Sequence, residues 1–253
     1  MKRRRTRLSQ HFLNSPKIAQ RIVASASIAG TTVIEIGPGR GILTKMIADH
    51  ATEVLAIECD PKMIKELGML SLPRVRIIHD NFLHHDIHQY GQVVVIGNIP
   101  YSISSAIIEK LVREHAVVMS ATLTVQKEFA HRLMARPGTR SYGFITLYVN
   151  YHYIVRKVFS IAARFFTPRP RVSSTVVHME KRMPMFTLAD EALFFDFIRG
   201  IFRYPRKAVR NALAFVTSRK PIGIDEHILT RRPASLDLDD FYALYAGTKK
   251  HDK

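Results

Sequence analysis

Apolar and polar positions along this chain alternate between two periods, and the switches between them mark out its elements. Over residues 16–26 the apolar side chains Ile18, Ile22 and Val23 share one helical face, with Ser15 placed to cap the helix and Pro16 suited to its first position. Residues 31–36 form a β-branched run that ends in Gly37-Pro38-Gly39-Arg40-Gly41 and opens onto an apolar stretch over 42–47, which reads as strand, tight loop and helix. Strands are predicted over 53–59, 75–79 and 92–97, with a helix over 61–70 the clearest of those between them. Helical spacing follows over 105–113, then a strand over 121–125 and a helix over 127–135 that stops before Pro137-Gly138. Two more strands are expected around 144–153 and 174–179.

Strands alternating with helices predict an α/β fold whose mostly parallel sheet is covered on both faces. Beyond Lys181 only helical spacing remains, over 190–202, 206–217 and 238–245. The pattern thus divides the chain into an α/β domain with a basic arm, residues 1–179, and a small helical domain, residues 180–253. No internal repeat interrupts this division.

Composition narrows the class. The 253 residues are 47% hydrophobic, an ordinary value for a folded protein. No apolar run reaches the roughly 20 residues of a membrane helix, and a polar stretch follows the basic start where a secretory leader has an apolar core. A single cysteine, Cys59, forms neither an internal disulfide nor a thiolate metal site, so a cytoplasmic, metal-free protein is expected. The histidines at 79, 84, 85 and 88 lack a recognised ligand spacing. Charge is the strongest bulk signal: 38 basic against 21 acidic residues leave a formal net charge of +17. Such an excess favours a polyanionic partner. Its clustering over 2–7, 164–171 and 203–210 points to nucleic acid, although a polybasic start also attracts anionic lipid.

Candidate chemistry gathers at the strand ends. Glycines after a parallel strand let the backbone turn sharply and approach a ligand, so Gly37 and Gly39 fit either a nucleotide-type ligand or plain turn chemistry. Glu58, ending the next strand, is placed to accept both ribose hydroxyl hydrogens. Asp80 ends the third strand and suits an adenine amine, with Phe82 near enough to pack on the ring; a turn or helix cap is the alternative for Asp80. A dehydrogenase uses similar parts, but G-P-G-R-G is not its G-x-G-x-x-G pattern and no hydride-transfer constellation accompanies it.

The fourth strand runs into Asn98-Ile99-Pro100-Tyr101. The Asn98 amide oxygen and a carbonyl near Ile99-Pro100 supply two acceptors for the hydrogens of an adenine amine, a weak nucleophile that gains from such orientation. Tyr101 offers a stacking face for a base swung out of its helix. Phe166 supplies a second face or, alternatively, is an ordinary core aromatic beside the stiff Thr167-Pro168-Arg169-Pro170 loop.

Together these segments resemble the KsgA-type small-subunit rRNA adenine dimethyltransferases and their relatives, the Erm-type macrolide-resistance methyltransferases. Gln10-His11-Phe12-Leu13, the E-I-G-P-G-R-G loop from Glu35, Asn98 to Tyr101, and F-T-P-R-P-R-V-S-S from Phe166 carry the likeness to both. Three segments are similar to the small-subunit branch: 125–133 with Pro137-Gly138 and Tyr142-Gly143, 202–213, and Arg231-Arg232-Pro233 onward.

The resemblance implies a Rossmann-like class I methyltransferase fold and S-adenosylmethionine as cofactor. It also implies cofactor contacts from His11, Leu13, Gly37, Glu58, Asp80 and Asn98. Its expected partner is ribosomal RNA in an immature small subunit, where two adjacent adenosines near the 3′ end each receive two methyl groups. Arg3, Arg4, Arg5, Arg169, Arg171, Arg206, Lys207 and Arg210 are the expected RNA contacts, on a protein acting as a monomer. Some features depart from the pattern. His11 stands where many bacterial relatives carry asparagine, Tyr204-Pro205 interrupts a basic helix start, and the C-terminal region is short, nearer the resistance enzymes. A large-subunit rRNA methyltransferase and a non-catalytic RNA-binding assembly or transcription factor are therefore the competing expectations.

Overall fold

The computed structural model describes residues 11–218 and 221–249, so Arg3, Arg4 and Arg5 lie outside the described residues. Contacts divide the chain into two units, Met1–Ala130 with Tyr153–Lys181, and His131–His152 with Arg182–Lys253. The first unit opens with β1 (Phe12–Leu13), α1 (Pro16–Ala24), β2 (Thr32–Ile36) and α2 (Ile42–Ala48). It continues with β3 (Glu53–Glu58), α3 (Pro61–Gly68), β4 (Val75–His79), β5 (Val93–Asn98), α4 (Ser104–Arg113) and β6 (Val118–Gln126). Helix α5 (Lys127–Leu133) carries the chain across the division to α6 (Phe144–His152). Strands β7 (Tyr153–Ile161), β8 (Phe166–Thr167) and β9 (Ser174–Lys181) return it to the first unit. The second unit ends with α7 (Glu191–Phe202), α8 (Val209–Leu213), α9 (Glu226–Thr230) and α10 (Leu238–Lys249).

A seven-stranded sheet of order β4-β3-β2-β5-β6-β9-β7 forms the first unit, parallel from β4 to β6 and antiparallel at β9 and β7. Its central strands have no polar face because neither side meets water. Val33, Ile34, Val54, Leu55, Val95 and Ile96 are all fully buried. One face of the sheet packs on α1 and α2, where Ile22 and Ile47 join Val33, Val54 and Val94 in a single cluster. Ser15 stands at the expected start of α1 in an extended conformation, but its side chain makes no capping bond; the Ser15 carbonyl accepts the first helical amides instead. Apart from this sheet, β1 and β8 pair antiparallel, Leu13 opposite Phe166.

Three expectations need correction. Residues 144–152 are helix, not strand, and the strand begins only at Tyr153. Ile145, Thr146, Leu147, Val149, Tyr151 and His152 are all buried, so α6 lacks the polar stripe that announces a helix. Its polar groups are satisfied inside the unit: the Thr146 hydroxyl donates to the Arg132 carbonyl, and the Asn150 amide donates to the Leu133 and Thr146 carbonyls. Segment 131–152 accordingly belongs with the C-terminal helices and not with the α/β domain in which the sequence pattern put it. The helix expected over 206–217 shrinks to α8, because Ala208 is extended and the Val209 amide is taken by the Arg231 carbonyl at 2.8 Å.

The second unit is built on an aromatic core around Tyr151, Phe194 and Phe241. Helix α7 begins where Asp190 accepts a bond from the Leu193 amide at 2.9 Å. No helix among the described residues is long and apolar enough to cross a membrane.

Two positions in the sheet carry unusual constraints. Gly97 has no room for a side chain: a Cβ there would lie 2.9 Å from the Ile36 carbonyl oxygen and 3.1 Å from Ile36 Cβ. Glu35 is 1% exposed, and burial pushes its pKa up to about 8, against the lowering effect of the Thr44 hydroxyl beside it and with a smaller rise from the negative charge of Glu58.

Replacing Gly97 by Ala forces β2 and β5 apart and is expected to cost about 1–3 kcal/mol, read as a lower Tm; an unchanged Tm contradicts the packing. Glu35 keeps its proton in the fold but loses it in the unfolded chain once pH exceeds about 4.5. Folding stability therefore falls as pH rises from about 4.5 to about 8, by about 1.4 kcal/mol per pH unit at most, and levels off above. Glu35→Gln removes this slope, so urea unfolding at pH 5, 6, 7 and 8 should show the variant gaining steadily on the parent. Parallel stability curves would disprove a buried neutral Glu35.

Candidate active site

Parallel register brings the predicted residues to one edge of the sheet. Ile36 pairs with Ile57 on one side and Gly97 on the other, so Gly37 stands level with Glu58 and Asn98. Glu58 pairs with His79, which places Asp80 one residue further along β4's path. A cavity of about 300 Å3 opens there. His11, Gly37, Gly39, Glu58, Asp80 and Phe82 line it, and Asn98, Ile99, Pro100 and Tyr101 complete its wall. Leu13 is buried beside it and lines a smaller pocket with the glycine loop.

The Glu58 carboxylate is held by backbone. Oε2 accepts from the Gly39 amide at 3.2 Å, and Oε1 accepts from the Cys59 and Asp60 amides at 2.8 and 2.9 Å. The glycine loop is thus tied to the tip of β3, and one lone pair on Oε2 remains for a ligand. Gly39 adopts φ +56°, and a Cβ on it would sit 2.9 Å from the Phe12 ring. Close packing of Phe12 on the loop therefore requires glycine. Asp80 accepts from the Asn81 amide at 2.7 Å through Oδ1 and from His85 Nδ1 at 2.7 Å through Oδ2. The His85 bond first, then the Asn81 bond, hold its carboxyl below the usual carboxylate range.

At the other end of the cavity the Asn98 amide is oriented by a distant segment. Its Nδ2 donates to the His11 carbonyl at 2.8 Å, which leaves Oδ1 as the end without a partner among the described residues. The Pro100 carbonyl is occupied by the Ser104 hydroxyl at 3.1 Å and the Ile103 amide at 3.2 Å. Of the two carbonyls flanking the proline ring, that of Ile99 is the one with no donor among the described residues. Tyr101 is anchored through its hydroxyl, 2.6 Å from the fully buried Ser174 Oγ, and its ring lies 5.3 Å from that of His11. Burial pushes the Tyr101 phenol up in pKa, which keeps it neutral.

Phe166 does not reach the cavity. It is 2% exposed and packs in the core with Leu13, its partner across the β1–β8 ribbon, which corrects its expected place as a stacking face. The ribbon explains the position: Asn14 donates to the Phe165 carbonyl, and His11 Nδ1 lies 2.6 Å from the Pro168 oxygen. Arg169 and Arg171 remain exposed beyond it. In the second unit Arg206, Lys207 and Arg210 are exposed, although Arg210 pairs with Glu226 at 3.0 Å and Lys207 lies over the Phe215 ring. Sequence reasoning missed Phe12, Ser174, His85 and Tyr90 as supports. Ser174 carried a signal, since it closes the F-T-P-R-P-R-V-S-S segment.

A family model described as ribosomal RNA adenine dimethylase matches residues 1–232. The ribosomal RNA small subunit methyltransferase A of Metamycoplasma arthritidis is 36% identical over 249 residues, 94% of each chain. That of Geobacillus thermodenitrificans is 34% identical over 261 residues, 94% of this chain and 88% of the relative. A solved dimethyladenosine transferase from Plasmodium falciparum superposes with a TM-score of 0.81 at 26% identity, covering 95% of this chain and 98% of that one. The 23S rRNA methyltransferase ErmE shares the fold, with a TM-score of 0.71 at 24% identity over 94% of this chain and 99% of its own. The alternating strands and helices of the first unit thus form a methyltransferase fold, and the chain belongs to the ribosomal RNA adenine dimethylase family.

Proposed function

We propose that this protein transfers methyl groups from S-adenosylmethionine to the N6 amines of two adjacent adenosines near the 3′ end of small-subunit rRNA, two to each, during assembly of the subunit in the cytoplasm. The observation that carries the reading is the Asn98 amide, fixed by the His11 carbonyl with its oxygen unpaired at the wall of a cavity whose far end holds Glu58 and Asp80. The relatives named for the small subunit support that branch over the large-subunit one.

The donor set fits the cofactor. Glu58 Oε2 retains a lone pair for a ribose hydroxyl, and Asp80 retains acceptor capacity for the adenine amine. Phe82 flanks the ring space, the Gly37 and Gly39 backbone admits close approach, and His11 and Leu13 close the near side. When bound, the cofactor supplies an electrophilic sulfonium methyl.

The chain's own residues prepare the nucleophile. Asn98 Oδ1 and the Ile99 carbonyl accept the two hydrogens of the target amine, which draws its lone pair out of conjugation with the ring. Pro100 stiffens the turn that sets their spacing. Tyr101 offers its face to the extruded base, a contact worth about 1–3 kcal/mol. The alkylated amine is acidic and sheds its proton without a strong base. Arg169, Arg171, Arg206, Lys207 and Arg210, with Arg3, Arg4 and Arg5, bind phosphates.

Asn98→Ala should lower methyl transfer to small-subunit particles by about 100-fold or more while cofactor affinity changes little. Initial rates with labelled cofactor and calorimetry on the same preparations check both arms. Unchanged turnover removes Asn98 from the mechanism, and labelling confined to naked large-subunit RNA overturns the substrate. Neutralising Arg206, Lys207 and Arg210 together should weaken RNA binding and flatten its salt dependence by about 0.9 in log–log slope per lost phosphate contact. A slope equal to the parent's places the RNA path elsewhere.

A further inference from the structure

The histidine-rich stretch has no ligand spacing for a metal, yet one of its members, His85, contacts Asp80, which lines the cavity. His88 turns away to pair with Glu114 at the end of α4. His85 turns inward, its side chain only 10% exposed against 45% for Asp80. Its Nδ1 lies 2.7 Å from Asp80 Oδ2, and its Nε2 lies 2.9 Å from the Tyr90 hydroxyl. The two rings stack at 5.7 Å with 15° between their planes, and the Arg76 guanidinium stands 5.6 Å over Tyr90.

The chemistry of these contacts has one consistent direction. An ionised carboxylate only accepts, so Nδ1 carries the proton and donates it to Asp80. In the neutral ring Nε2 is then an acceptor, and the Tyr90 hydroxyl donates to it. Tyr90 thereby selects the tautomer that Asp80 needs. The Asn81 amide holds only Oδ1, and a carboxylate held at one oxygen still rotates about that bond. A second donor on Oδ2 fixes its plane and so the direction of its remaining lone pairs.

We propose that His85 is a positioning residue for cofactor recognition: it locks the Asp80 carboxylate toward the exocyclic amine of the cofactor's adenine, with Tyr90 holding His85 in the donating tautomer. The inference rests on the reading of Asp80 given under Proposed function. Its consequence is selectivity between a purine that carries an amine donor and one that carries a carbonyl in the same place.

Calorimetry with S-adenosylhomocysteine and its deaminated analogue S-inosylhomocysteine tests this on the full-length protein. The parent should prefer the amine-bearing ligand. His85→Leu should weaken S-adenosylhomocysteine by about tenfold and leave S-inosylhomocysteine nearly unchanged, so that the preference collapses. A merely structural role weakens both ligands alike and preserves the ratio. His85→Asn, whose amide nitrogen takes the place of Nδ1, should restore most of the preference.

Should His85→Leu fail to fold, Tyr90→Phe carries the same test in a step of about two- to threefold. If Asp80→Ala loses the preference while His85→Leu or Tyr90→Phe keeps it, the inference is overturned and the reading of Asp80 stands. If Asp80→Ala itself keeps the preference, the reading of Asp80 fails and the inference falls with it.

Discussion

Register in the parallel ladder is the constraint from which the site follows. Four strand ends can present ligand groups to one cavity only if β4, β3, β2 and β5 stop at matching heights, and pairing of Ile36 with both Ile57 and Gly97 sets those heights. A slip of one residue would turn every buried valine and isoleucine of a strand to the opposite face. Because both faces are packed, no slipped arrangement is tolerable. Gly97 tightens the constraint further, since its missing side chain lets β5 close on the Ile36 carbonyl. Hydrophobic burial in the sheet thus determines where Glu58, Asp80 and Asn98 stand, although none of them contributes to it through apolar contact.

Height alone does not orient a side chain, and here the chain uses hydrogen-bond partners from elsewhere in the sequence. Asn98 and the His11 carbonyl are 87 residues apart, Tyr101 and Ser174 are 73 apart, and Gly39 and Glu58 are 19 apart. At Asn98 the amide nitrogen is spent on a scaffold bond so that the oxygen is aimed, while Glu58 and Tyr101 are held in place by their bonds to Gly39 and Ser174. Such preorganisation matters for a weak nucleophile, because the barrier falls through placement and fixed dipoles and not through a strong base. The β1–β8 ribbon is the means by which His11 reaches Asn98, which explains why a two-residue strand and a proline-rich loop are part of the site at all.

What could be read from the sequence divides along the same line. Strand, glycine loop and helix were legible because burial on both faces leaves unbroken β-branched runs, and the ends of those runs located Glu58, Asp80 and Asn98. Helix α6 was illegible for a related reason: burial on nearly all sides erased its polar stripe, and Phe144 to His152 then carried the aromatic and β-branched composition of a strand. Phe166 shows the limit of local reasoning, since whether an aromatic beside a stiff loop faces a ligand or the core depends on which strand pairs with it. His85 and Tyr90 were invisible because Asp80, His85 and Tyr90 are five residues apart, a spacing that belongs to neither a helix nor a strand.

Electrostatics then separates the interior of the site from its surroundings. Two carboxyl groups flank the glycine loop, and burial treats them differently. Glu58 receives three backbone N–H bonds, whereas Glu35 has no backbone donor among the described residues and keeps its proton up to about pH 8. A second ionised carboxylate beneath the loop would be an unpaired buried charge next to a like one, a cost that protonation avoids. The net charge of +17 is carried elsewhere, and Arg169, Arg171, Arg206, Lys207 and Arg210 are all exposed to solvent. The surface cations and the cavity's carboxylates and amide are thus different residues, so under the proposed function RNA affinity and base chemistry are open to separate alteration.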